Sequence, residues 1–70
     1  MKFLVVIEKA RRGYSAYSPD IQGCIATGRT RAETQRRMRS ALASHVKAMK
    51  ADGLTVPPPR SSYALVELPC

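Results

Sequence analysis

One uninterrupted amphipathic pattern, running from Thr30 to Gly53, fills the middle of a chain of only 70 residues and limits what else it can build. The pattern begins with a capping box, Thr30-Arg31-Ala32-Glu33. The Thr30 hydroxyl is set to accept the Glu33 amide proton, while the Glu33 carboxylate reaches back to the amide of the cap residue. No proline interrupts the run to Asp52, and Gly53 supplies a residue that stops a helix in the left-handed conformation. Stepping about 100° per residue from Met38 places Thr34, Met38, Ala41, Leu42, His45, Ala48 and Met49 on one stripe. Arg36, Arg39, Ala43, Lys47 and Lys50 fall opposite, and Arg29 and Arg31 stand at the start. One face is core and the other is a basic ridge.

What precedes the helix reads as strands. Residues 2–9 (KFLVVIEK) are β-branched and aromatic, with Phe3, Val5 and Ile7 on one face and Leu4 and Val6 on the other. A strand apolar on both sides is covered on both sides. Ala10 to Gly13 reads as a hairpin turn, and residues 14–18 (YSAYS) as a second strand. Pro19-Asp20 breaks that strand, Asp20 as an Asx-type turn, and Gly23 closes the turn. Residues 24–27 (CIAT) read as a short third strand ending at Gly28. After the helix, residues 57–60 (PPPR) form a stiff connector and residues 63–68 (YALVEL) a last strand. The order β-β-β-α-β, with a right-handed crossover, predicts a small α+β domain with a mixed sheet ordered 3-2-1-4. One helix covers one face of that sheet, and nothing remains in the chain to cover the other.

Seventy residues suffice for one domain, taken as 1–70, burying only roughly 60% of its unfolded surface. Self-association, as a dimer or a dimer of dimers, is the expected route to stability. Cys24 and Cys70 make one bridge at most. The apolar run at residues 3–7 meets Glu8, Lys9, Arg11 and Arg12 at once, unlike a secretory leader, and no stretch approaches the ~20 apolar residues of a membrane span. The expectation is a cytoplasmic protein with reduced thiols and no membrane association. Twelve Lys and Arg against five Asp and Glu leave a net charge of +7. That surplus attracts nucleic acid, acidic protein surfaces or anionic lipid, and charge alone does not choose among them.

The segment GYSAYSPDIQGCIATGRT at residues 13–30 resembles the HicB-like antitoxin family. Tyr14, Ala16, Pro19, Asp20, Gly23, Cys24, Gly28, Thr30 and Glu33 carry the likeness, which continues through Ala41 and His45 to Gly53 and Val56-Pro57. The Pro-Asp-x-x-Gly-Cys turn is its most specific part. The resemblance implies a truncated ribonuclease-H-like fold and the binding and neutralising of a small HicA-type toxin that cleaves messenger RNA. An antitoxin on this scaffold is expected to bind through the uncovered sheet face and edge, and the sequence leaves open which face makes the interface. Three departures stand out: a proline run and a strand follow the helix where relatives often carry a DNA-binding unit, Gln22 replaces a usual proline, and Arg29 replaces a common acid. A stand-alone domain is expected.

Enzymatic chemistry has little to work with, so no catalytic residue, metal or cofactor is expected. His45 is the lone histidine and lies within the apolar stripe, where a packed or interface role suits it better than acid–base work. One histidine and two distant cysteines lack the paired spacing of zinc ligands. Of five carboxylates, Glu33 is taken by capping, Asp20 by its turn and Asp52 by the helix end. Glu8 and Glu67 on neighbouring strands make a poor two-metal site. Cys24 reads as a small buried hydrophobe. The arginines are different: Arg29 and Arg31 oppose the helix dipole, and Arg36 and Arg39 repel one another, with Glu33 facing Arg36 and Arg37 as partial relief. A solvated face, contact with a nucleic-acid backbone and contact with an acidic partner all fit Arg29, Arg31, Arg36, Arg39, Lys47 and Lys50. A small nucleic-acid-binding module is therefore the second function class.

Overall fold

The computed structural model describes residues 1–69, and Cys70, with any bridge it would make, lies outside them. Three strands precede one helix: β1 (Val6–Ala10), β2 (Gly13–Ser18), β3 (Ile21–Gly28) and α1 (Arg31–Ala51). The sheet is antiparallel with order β1-β2-β3. That agrees with the first three positions of the expected order.

The strand limits differ from those predicted, for a local reason. β1 begins at Val6 and not at Lys2, because its ladder ends at the Val6–Tyr17 pair. Beyond Tyr17 the β2–β3 register shifts, so that Ser18 pairs with Ile21 while Tyr17 pairs with Ile25. The residues Gln22, Gly23 and Cys24 are the extra chain of a bulge, and β3 starts three residues earlier than expected. Leu4 is tied in another way, through its carbonyl, which accepts the Ser18 hydroxyl at 2.8 Å.

α1 packs on one face of this sheet. The buried core is thin: Ala16 of β2, Ile21 and Cys24 of β3, and Met38 of the helix. Phe3, Val5, Ile7, Ala26, Ala41, Leu42 and Val56 pack around it. Alternation therefore holds from the segment before β1 into the strand, with Phe3, Val5 and Ile7 on the helix side. The outward face carries the cross-strand row Val6–Tyr17–Ile25 beside the polar row Glu8–Ser15–Thr27. No element of the described residues covers it. On the helix, Ala48 is exposed, contrary to the expected stripe, and Val46 takes a half-buried place instead.

The predicted fourth strand is absent from the described residues. After α1 the chain turns through a Schellman close, with Gly53 N–H donating to Lys50 O at 3.1 Å and Leu54 N–H to Met49 O at 2.9 Å. The three prolines at 57–59 contribute no backbone donors. Residues 62–69 then run exposed and without partners, leaving Leu65 92% and Val66 77% accessible. Apolar alternation alone does not make a strand; it needs an edge, and this segment does not reach the edge of β1 in its own chain.

Candidate functional site

The Pro-Asp-x-x-Gly-Cys segment is a structural device. Pro19 and Asp20 form the turn between β2 and β3, Gly23 lies in the bulge with φ +78°, and the bulge turns Ile21 and Cys24 into the core. Burial pushes the Cys24 thiol up from its ordinary range, which suppresses the reactive thiolate. Asp20 does more than hold its own turn. Its Oδ2 accepts the amides of Arg60 at 3.1 Å and Ser61 at 3.0 Å, and its Oδ1 accepts the Ser61 hydroxyl at 3.0 Å. These bonds, the Ser61 amide foremost, hold the Asp20 carboxyl below the usual carboxylate range. The Asx-type role expected of Asp20 is thus replaced by a clamp on a segment some forty residues away, which no local sequence signal announces.

Where β3 meets α1, backbones approach closely. Tyr14, half-buried, pairs with Gly28. A Cβ on Gly28 would stand 2.6 Å from Thr34 Oγ1 and 2.9 Å from the Thr34 amide nitrogen. Only glycine fits between strand and helix here. Thr30 caps α1 by accepting the Glu33 amide at 3.1 Å. The return half of the capping box is not made: Glu33 Oε1 instead pairs with Arg37 at 2.8 Å, and Arg37 also donates to Thr27 O at 3.1 Å. Of the two arginines expected to face Glu33, Arg37 does so and Arg36 does not.

The arginines among the basic candidates divide between two depressions, and Lys47 and Lys50 line neither. Arg29, Arg31, Arg36, Arg39, Lys47 and Lys50 are all exposed. Arg31, Arg36 and Arg39 rim a groove of about 700 Å³ whose apolar lining includes Phe3, Val5, Ile7 and Leu42. Arg29 belongs elsewhere, in a shallower depression of about 640 Å³ with Arg11, Arg12, Tyr14, Glu33 and Arg37. Arg11 and Arg12 were not among the sequence-derived candidates. Sheet order could have found them, since an antiparallel trio brings the β1–β2 hairpin beside the end of β3.

Among the described residues no three His, Cys, Asp or Glu side chains come together. Glu8 and Glu67 were expected on neighbouring strands, but residue 67 lies in no strand. His45 is half-buried on α1. No helix of the described residues is long and apolar enough to cross a membrane.

Comparison with known proteins places this architecture. A curated relative, a UPF0150 protein of Helicobacter pylori strain J99, is 35% identical over 49 residues, covering 70% of this chain and 68% of the relative. Two solved structures are similar at 32% identity. One is a chain of the HicA3 and HicB3 toxin–antitoxin complex, with a TM-score of 0.67 over 83% of this chain and 72% of that one. The other is the antitoxin HicB3, with a TM-score of 0.70 over 86% of this chain but only 44% of that longer one. The family model described as HicB_like antitoxin of bacterial toxin-antitoxin system matches residues 3–69. This chain belongs to the HicB-like antitoxin family.

Proposed function

We propose that this protein is an antitoxin that binds a small HicA-type, messenger-RNA-cleaving toxin and neutralises it by covering its working surface. The observation that carries this is the family match across residues 3–69, joined to the likeness with a HicA3–HicB3 complex. The protein acts in the cytoplasm as one domain, residues 1–70, on a truncated ribonuclease-H-like scaffold, and as a dimer or dimer of dimers. It does no chemistry of its own. The outward row Val6–Tyr17–Ile25, with Ile25 68% and Tyr17 43% exposed, favours the sheet face as the toxin-binding surface. Apolar side chains flanked by polar ones suit an interface core with a hydrated rim. The experiment is a growth test. Induction of a HicA-type toxin, sought first in the reading frame beside this gene, arrests growth, and co-expression of this chain restores it. Continued arrest with the antitoxin abundantly expressed refutes the proposal.

A second surface for nucleic acid is favoured by the exposed arginines around the β1–β2 hairpin and along α1. Phosphate contacts of that kind would give binding that weakens steeply with salt.

A further inference from the structure

We infer that residues 62–69 form an exchange arm, which adds as a strand to the free β1 edge of a second copy of this chain. Four observations meet here. The arm carries Tyr63, Leu65, Val66 and Leu68 at 77%, 92%, 77% and 67% exposure, in a protein in which only four apolar residues are buried among the described residues. β1 pairs on one side only, with β2, and its other edge is open. Beside that edge lies the groove of about 700 Å³ floored by Phe3, Val5, Ile7 and Leu42, where an added strand would set its side chains. Finally, the arm is directed away from its own body. Three prolines stiffen its approach, and the Asp20 carboxylate clamps Arg60 and Ser61 at its root.

The shape of the molecule agrees. Its radius of gyration is 13.8 Å and its long axis 49 Å, whereas a compact chain of this length has a radius near ~11 Å. An extended eight-residue strand spans roughly 26 Å, long enough to lie along all of β1. The complementarity has a sign as well. Glu67, the arm's only charge, shares a side with Tyr63 and Leu65, and the groove they would enter is rimmed by Arg31, Arg36 and Arg39. A strand and an edge that match but stay apart within one chain are satisfied together when two copies trade arms about a twofold axis. This deepens the self-association proposed above and commits it to one surface. A dimer formed through the outward sheet face would keep that proposal and refute this one.

Paramagnetic relaxation in mixed samples separates these cases. A nitroxide is attached to full-length chain carrying Ala64→Cys and Cys70→Ser, Cys24 being shielded by burial. This chain is unfolded and refolded together with nitrogen-15-labelled chains that carry no nitroxide. Exchange broadens the amides of Val6 to Ala10 in the labelled chains. Unaffected amides in the mixture overturn the inference, and so does broadening found only when nitroxide and isotope share a chain. Broadening in an added toxin in place of β1 also overturns it. As an independent measurement, Leu65→Glu raises the dimer dissociation constant at least ~30-fold, the scale of an interface hot spot. Helix content by circular dichroism stays unchanged, because Leu65 is almost fully exposed in its own chain; an unaltered dissociation constant contradicts the assignment.

Discussion

Two residues at the strand–helix junction, Gly28 and Thr30, bear out of proportion on this small fold. Thr30 supplies the acceptor for the Glu33 amide, so Thr30→Ala should cost about 1 kcal/mol in denaturant melts at fixed protein concentration. Glu33→Ala should cost far less, within ~0.5 kcal/mol, because its partner Arg37 is exposed and the return cap is not made. Gly28→Ala is the severe change: the added methyl meets Thr34 backbone, which cannot rotate aside. A loss of ~1–3 kcal/mol is expected, typical of overpacking. Asp20 works on a different part of the chain. Its carboxyl titrates below the ordinary value because Ser61 and Arg60 donate to its charged form. The clamp is therefore fully in force above the ordinary aspartate range and is released as pH falls through the depressed value. Carbon-13 titration of Asp20 should give a midpoint below that of a free aspartate, and Asp20→Ala should abolish slowed amide exchange at Arg60 and Ser61. A midpoint at the free value would mean that the clamp does not form in solution.

Element by element, the pieces written in local chemistry were legible and those written in long-range contacts were not. The α1 helix, its Thr30 cap and its Gly53 stop follow from spacing and from residues that satisfy helix ends, and the structure places them within a residue or so. The three-stranded meander follows from turns at Gly13 and at Pro19-Asp20. The bulge shifted β3 to Ile21, because a register shift depends on which residues of β2 are opposite and not on β-propensity. The fourth strand failed for the same kind of reason, since residues 63–68 have the right alternation but no edge within reach. The site was legible in part. The resemblance identified Tyr14, Pro19, Asp20, Gly23, Cys24 and Gly28, whose places in turn, bulge and junction are structural. Asp20's partners, the groove beside β1, and the addition of Arg11 and Arg12 to Arg29 arise only from the folded chain. The α1 ridge, roughly 30 Å long, gives its own prediction. Arg36→Glu with Arg39→Glu should leave the melting midpoint nearly unchanged, as both side chains are exposed. If the ridge engages four phosphates of single-stranded RNA, binding of the unmodified protein should fall with salt at a log–log slope near about −2.8, and the double variant should lose it. A filter-binding titration at several salt concentrations reads both; no binding even at low salt leaves the ridge a solvated face.

At the scale of the whole molecule, a thin core, an exposed apolar row on the sheet and a projecting apolar arm describe a protein built to be completed by others. A net charge of +7 adds long-range attraction for acidic partners and none for another copy of itself. Apart from Glu67 against the arginine rim, apolar surfaces must therefore carry self-association, and raising the salt should on balance strengthen the dimer by screening the net like charge, the opposite of its effect on RNA binding. Sedimentation equilibrium at two salt concentrations checks the sign. The central claim, toxin binding without chemistry, is tested most directly with purified components. A HicA-type toxin, inactivated at its catalytic residue, is titrated calorimetrically into this protein. The account predicts a saturable complex of defined stoichiometry that Ile25→Asp weakens and that Arg36→Glu with Arg39→Glu leaves intact. No heat of binding and no co-elution at micromolar concentrations, with both partners folded, would contradict it.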